Sequence, residues 1–329
     1  MSCSGRRLLI LLLGLGILLG CTARRSAQPT PTGAIVAATE TATEAPTSTP
    51  SALARLPAAL ARLSFADPLG EAYQPQTVTF DEGGRAYAVC YHHGRLSEGP
   101  SALVPLDLQA LVRGRAVPLP GPVSGPVAVF GGRAYCIYED AEYLPHLAVI
   151  DLADGRLVAE AAAGQVLFGA GVGAGPGRLY LLTQAGLQVR DPATLQVLET
   201  LTLAAMPGQR WLLLDREHDR LFVAATDSLY AYRGSTLQSL WRQEGMGANV
   251  RQMLLDTDAQ RLCVQTEQFT DGTVQGRLLV MDAATGALQQ EPADVPNSTW
   301  QLAGADAAGH LLFTEMAGAG MRLWLAGAD

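Results

Sequence analysis

The feature that most restricts this chain is a period. From residue 75 onward a basic residue or histidine, placed just after a turn and just before a β-rich apolar run, recurs six times. The copies are "GGRAYAVC" (Arg85), "GGRAYCIY" (Arg133), "PGRLYLLT" (Arg178), "HDRLFVAA" (Arg220), "AQRLCVQT" (Arg261) and "AGHLLFTE" (His310). The steps between these anchors are 48, 45, 42, 41 and 49 residues. Each unit also has a second half that repeats. "LVPLDLQALV", "LAVIDLADGRLV", "LQVRDPATLQVL" and "LLVMDAATGALQ" each run as a strand to an Asp (Asp107, Asp151, Asp191 and Asp282), turn tightly and return as another strand. An Asp at a strand end accepts turn N–H bonds, so these four are read as turn-makers and not as reactive groups.

Four short antiparallel strands in a unit of about 45 residues make one blade of a β-propeller. The units resemble those of YVTN-type and PQQ-like propellers, most closely in "LYLLTQAGLQVRDPATLQVLETL" (Leu179 to Leu201). The resemblance covers roughly residues 75–325 and implies a fold rather than an activity, because one fold hosts many functions. The architecture is WD40-like, although the Gly-His and Trp-Asp pairs of WD40 blades are not evident. The last copy reaches its third strand in "MRLWLAG", and a ring then needs an outer strand to avoid an open edge. "LARLSFA" (Leu60 to Ala66) is placed to supply it. The expectation is an all-β propeller of six blades over residues 52–329, with seven as the alternative, closed between first and last blade by the N-terminal segment.

Upstream, Arg6 and Arg7 precede the apolar run Leu8 to Leu19, which ends at Gly20-Cys21. A run this short behind a basic start reads as a secretory signal and not as a membrane span. "LLGC" (Leu18 to Cys21) resembles the lipobox of bacterial lipoproteins, which implies removal of residues 1–20 and lipidation of Cys21. Loss of Arg6 and Arg7 would take the formal charge from −8 to −10. Residues 21–51 then form a Thr/Pro/Ala/Ser-rich tether, which lacks the apolar surface needed to offset its ordering entropy. An acidic chain is a poor nucleic-acid partner. It also contains no lysine, so Schiff-base and phosphate-loop chemistry dependent on that residue is excluded.

The family resemblance implies strands a to d running outward from the channel. The a–b turns, where "GGRAY" falls, then lie on one face, and the b–c loops and d–a connections lie on the other, which carries most known propeller sites. On that second face the b–c loops of the third and fourth units, around Gln184 and Asp227, are short, and those of the first, second and fifth are longer. His92, His93, Glu139, Asp140, Glu142 and His146 gather there as candidate metal ligands, though without a recognised ligand spacing, and neighbouring strand residues such as His92 and His93 point to opposite faces. A second candidate comes from equivalent positions. Arg210, Arg251 and Trp300 each lie ten residues before an anchor, at the start of an innermost strand, with Trp211 and Asn249 close by. Two guanidinium groups and an indole at a channel mouth would suit a small anionic ligand.

Other apparent motifs fail in context. "GAGVGAGPG" (Gly169 to Gly177) is followed by a strand where a dinucleotide fingerprint needs a helix. No G-x-S-x-G or H-E-x-x-H occurs. "FTDGT" (Phe269 to Thr273) reads as a hairpin tip. Asn297-Ser298-Thr299 matches a glycosylation sequon by spacing alone. Cys90, Cys136 and Cys263 are expected to be buried small hydrophobes and not disulfide partners. The resulting expectation is a lipid-anchored extracytoplasmic module, on the bacterial cell membrane or outer membrane. It would bind another envelope protein or a small anionic ligand, with no catalytic residue assigned and no cofactor required. The alternatives are a propeller lyase or hydrolase, a quinone-dependent dehydrogenase suggested by "VMDAATGALQ", and an envelope assembly scaffold.

Overall fold

Each described anchor opens, or immediately precedes, the second strand of a sheet. The computed structural model describes residues 61–64, 73–92, 101–107, 112–123, 125–166, 171–203, 210–256, 259–271, 273–290, 292–295, 300–305, 311–317 and 320–326, all within the compact unit Thr49–Asp329. Cys21, the signal and tether segments, His93, His310 and the sequon lie outside the described residues.

Strand β1 is Ala61–Ser64. The first sheet holds β2 (Tyr73–Phe80), β3 (Ala86–His92), β4 (Ala102–Asp107) and a split outer strand, β5 (Val112–Arg113) and β6 (Val117–Pro118), both paired with β4. The second holds β7 (Ala128–Phe130), β8 (Arg133–Glu139), β9 (Pro145–Asp151) and β10 (Leu157–Ala162). The third holds β11 (Val172–Gly175), β12 (Arg178–Thr183), β13 (Gly186–Arg190) and β14 (Val197–Leu201). The fourth holds β15 (Arg210–Asp215), β16 (Arg220–Ala225), β17 (Ser228–Arg233) and β18 (Ser239–Gln243). The fifth holds β19 (Asn249–Asp256), β20 (Arg261–Thr270), β21 (Thr273–Asp282) and β22 (Ala293–Val295). The last holds β23 (Trp300–Ala305), β24 (Leu311–Ala317) and β25 (Gly320–Ala326), and β1 completes it by pairing antiparallel with β25, Ala61 opposite Leu323 and Ser64 opposite Gly320.

The innermost strands β2, β7, β11, β15, β19 and β23 touch in that order, and β23 returns to β2. The chain is therefore an all-β propeller of antiparallel blades, five of the described sheets having four strands and one having five. The core lies between neighbouring sheets, because each sheet is apolar on both faces and must bury both. Tyr87 and Val89 of the first sheet pack with Ala134, Cys136 and Tyr138 of the second. Phe222 and Ala224 pack with Val250 and Met253, and Cys263 and Leu278 pack with Leu302 and Phe313. Full burial of one such Leu or Phe stabilises by about 1.5–3 kcal/mol. The three cysteines sit in these layers, and burial pushes the Cys136 and Cys263 thiols up to about 12.

The turns follow the repeated letters. Gly84, Gly131 and Gly132 of the two "GGRAY" copies have φ of 76°, 61° and 70°, which an L side chain rarely adopts. Asp81 Oδ1 accepts the N–H groups of Gly83 and Arg85 across the first of these turns. At the c–d turns, Asp151, Asp191 and Asp282 each accept the N–H two residues on, and Asp191 and Asp282 also hold Thr194 and Thr285. These are the turn-making roles that the repeat specified. The fourth residue after Asp151, Asp191, Arg233 and Asp282 is left-handed. It is Gly at 155 and 286 but Leu at 195 and 237, where the side chain is buried and its packing outweighs the backbone cost.

The glycine-rich stretch before Arg178 also has a packing reason. A Cβ built on Gly173 would lie 2.5 Å from Leu212 Cδ2, and one on Gly171 would lie 2.6 Å from the Leu212 backbone nitrogen. The glycines let β15 press against the neighbouring inner strand.

Candidate functional site

Every innermost strand pairs on one side only, so its other edge presents backbone N–H and C=O groups to the central channel. A cavity of about 510 Å³ lies there, walled by Thr77, Thr79, Ala128, Gly173, Leu213 and Gln252 from five of these strands. It extends to the a–b end, where Asp81, Glu82, Gly84, Arg216 and Asp256 line it. "GGRAY", on the face opposite the usual propeller site, reaches the cavity through Gly84.

Arg216 organises that end. It follows β15 directly and reaches across the channel, donating from Nε to the Ala174 carbonyl at 2.6 Å and from Nη2 to the Val129 carbonyl at 3.1 Å. Its guanidinium also lies 4.8 Å from the Phe130 ring centroid. One side chain thereby joins the inner edges of three sheets. Burial lowers its pKa somewhat, and the nearby Glu82 and Asp81 carboxylates oppose that shift. The sequence gives a faint signal for it: "DREHD" puts an arginine in an a–b turn where two other units have Gly-Gly.

Two further acids at this end are paired with arginines. Asp215 pairs with Arg220 at 2.5 Å, and their side chains are 1% and 6% exposed. Arg220 also donates to Gln260 of the next sheet. Asp256 pairs with Arg261 at 2.5 Å in the equivalent place one unit later. Two anchors of the repeat are therefore arginines paired with the acid that ends strand a, Arg220 buried and Arg261 half-buried.

At the opposite end, Arg210, Asn249 and Trp300 begin β15, β19 and β23 as the repeat alignment required. The side chains of Arg210 and Trp300 lie outside the described residues. Arg251 is the extra residue of a β-bulge between Val250 and Gln252. A bulge re-aims a side chain, and here the guanidinium meets Glu267 on β20 at 3.0 Å, so a local acid takes its charge. Trp211 lines the cavity and packs with the layer between the fourth and fifth sheets. Its buried indole N–H has no acceptor among the described residues. Asn249 is exposed. Among the described side chains, then, this mouth does not assemble two free guanidinium groups.

The candidate metal ligands meet only in part. Asp140 Oδ1 accepts the N–H groups of Glu142 and Leu144, and Oδ2 lies 2.8 Å from His146 Nε2. His146 Nδ1 lies 3.0 Å from Glu160, which also accepts the Tyr138 hydroxyl. Each ring nitrogen of His146 thus already lies against a carboxylate of the protein. The Leu144 N–H, and after it His146, hold the Asp140 carboxyl below its usual range. Burial, and then the Glu160 hydrogen bond, push the Tyr138 hydroxyl well above its own. Glu142 is exposed, Glu139 is half-buried, and the side chains of His92 and His93 lie outside the described residues. Among the described residues no three His, Cys, Asp or Glu side chains converge as a metal site. Glu160, the member that sequence reasoning missed, comes from the outer strand and carries no motif.

No protein-family model matches this chain, and no curated protein matches its sequence. Solved structures do resemble it in fold. The β-propeller domain of Cps50 (Swd1) from Myceliophteria thermophila aligns with a TM-score of 0.54 at 12% identity, over 82% of this chain and 99% of that one. A chain of the Mitotic Checkpoint Complex aligns at 0.54 and 10% identity, over 78% and 76%. Kuenenia stuttgartiensis hydrazine synthase aligns at 0.53 and 11% identity, over 74% and 77%. At these identities the likeness establishes the propeller fold alone.

Proposed function

We propose that this chain is a lipid-anchored, extracytoplasmic binding module: a six-bladed propeller of the bacterial cell envelope that holds a protein partner. The observation that carries the reading is the commitment of the charged groups around the channel. Asp215 and Asp256 are tied to arginines, Arg216 to carbonyls and Asp81 to turn N–H groups. Groups spent in this way hold the ring together and are not poised for general acid–base work. The six inner strands in mutual contact support the blade count. Two of the similar folds are, by name, a propeller domain of Swd1 and a part of the Mitotic Checkpoint Complex, and the second name describes an assembly. Hydrazine synthase, by name an enzyme, keeps a catalytic reading as the second choice.

Residues 1–20 act as the signal, Cys21 as the lipid attachment point and residues 21–51 as the tether in this proposal. Purified full-length protein is analysed for metals and, by mass spectrometry, for bound small molecules. Stoichiometric metal or quinone overturns the binding reading in favour of the enzyme. Cys21→Ser should move the protein from the membrane fraction to the soluble one, and retention at the membrane would refute the lipid anchor.

A further inference from the structure

The fifth sheet departs from the others at one place. Its second and third strands, β20 and β21, have ten residues each, whereas their counterparts have five to seven. β19 accompanies β20 only as far as Glu267, and β22 accompanies β21 only from Gly276. Gln268–Thr270 and Thr273–Gln275 therefore pair with each other alone and project about 10 Å beyond the sheet. Phe269 stands on this ribbon opposite Val274, and it is 74% exposed. The Arg251–Glu267 pair braces the base of the ribbon against the inner strand, and the bulge that aims Arg251 lies there.

Strand directions place the ribbon on the b–c face. β1 runs antiparallel to β25 with Ser64 opposite Gly320, which follows the b–c turn, so Ala61 is the end of β1 farther from the b–c face. Around the ribbon, Arg251, Arg242 and Arg277 are paired with Glu267, Glu244 and Asp294. Among the described residues, Asp271 at the tip and Asp227 in the fourth sheet's turn on this face make no ion pair, so these two carboxylates are left without a countercharge there.

We propose that the b–c face is where the protein partner docks, with the β20–β21 ribbon as its probe. The partner surface offers an apolar pocket for the Phe269 ring, bordered by arginine or lysine side chains that meet Asp271 and Asp227. This rests on the binding-module reading and adds the face, the contacting residue and the chemistry of the partner. A rigid two-χ aromatic that fills a desolvated pocket is the kind of residue that dominates an interface.

The chain has no lysine for amine-reactive reagents, so the test uses a benzophenone side chain in the full-length protein in intact cells. It replaces Phe269, Arg85 on the a–b face or Leu198 on the outer rim. The expected result is a protein adduct from position 269 and none from 85 or 198, with the cross-linked partner segment apolar and flanked by Arg or Lys. With the probe moved to Gln275, Phe269→Asp should lower the adduct yield about tenfold or more. Its melting temperature should not change, because the ring is exposed. An adduct from 85 or 198 but not 269 overturns this inference and leaves the binding reading standing. A doubled-mass adduct of the chain with itself, a lipid adduct, an acidic partner site or an unchanged yield in Phe269→Asp overturns it as well. No adduct from any position overturns the binding reading too.

Discussion

Gly171→Ala adds one methyl group at the seam between the third and fourth sheets, and the structure fixes both the sign and the size of its effect. The new Cβ would lie 2.6 Å from the Leu212 backbone nitrogen and 2.6 Å from Leu212 Cβ. Neither atom can rotate away, so β15 itself must move. Two favourable terms oppose that cost: burial of a methyl group at about 0.8 kcal/mol, and a less flexible unfolded chain at about 0.4–1 kcal/mol. Overpacking of a tight core costs about 1–3 kcal/mol, and the upper part of that range applies where backbone must shift. The net expectation is a loss of up to about 2 kcal/mol, or a fall of up to about 8 °C in melting temperature at this domain size. Urea titration should show a lower midpoint with an unchanged slope. Gly83→Ala is the control, because its Cβ meets only the Asp81 carboxylate at 3.4 Å in an exposed turn. An unchanged midpoint in Gly171→Ala would refute the claim that the glycine run exists to let neighbouring inner strands close.

Three further outcomes follow from the charged groups. Asp215→Asn leaves the buried Arg220 guanidinium without its countercharge and should cost about 3–5 kcal/mol, whereas Asp256→Asn, at a pair whose arginine is 18% exposed, should cost less; urea midpoints of the two variants measure the difference. Arg216→Ala removes two charge-assisted hydrogen bonds to channel carbonyls and should cost about 2–4 kcal/mol by the same titration, with Arg216→Lys restoring only part because an ammonium lacks the fork that spans both. Asp140, Asp191 and Asp282 are held below their ordinary value of 3.8, chiefly by turn N–H groups and, at Asp282, first by the Thr285 hydroxyl. A lowered folded pKa stabilises fully above the unfolded value and is lost as pH falls through the folded one, so the urea midpoint should drop below about pH 4, and less steeply in Asp191→Asn/Asp282→Asn.

The fold was legible because a ring of like sheets must repeat its turns. Arg133, Arg178, Arg220 and Arg261 mark strand starts, Asp151 and Asp282 mark strand ends, and the stretch holding Ala61–Ser64 could be paired with the last unit by counting strands. The site was less legible for two physical reasons. The partners of Arg251 and His146, which are Glu267 and Glu160, lie on other strands, and register across a sheet is not written in local letters. The long b–c connection expected in the fifth unit is instead extra strand. "TEQFTDGTVQG" has the alternation and Asp-Gly tip that extend a hairpin, and Thr270 pairs with Thr273 directly across the tip.

That difference between loop and strand bears on how the two faces diverge. On the a–b face, turns set the direction of every inner strand and carry the buried pairs, so a change there is transmitted to the ring. On the b–c face a connection has only to close its own hairpin. The third and fourth sheets do this in a two-residue turn, Thr183 meeting Gly186 and Ala225 meeting Ser228. The fifth sheet can be cut to the same form by removing Gln268–Thr270 and Thr273–Gln275. Asp271-Gly272 then joins Glu267 to Gly276, which already face each other, and Glu267 is kept for Arg251. The excised residues pair only among themselves, and a lone two-stranded ribbon contributes little stability. The shortened protein should unfold within about 0.5 kcal/mol of the full one by urea titration. A large loss of stability would show that the ribbon belongs to the folded core, and its length would then need no partner to explain it.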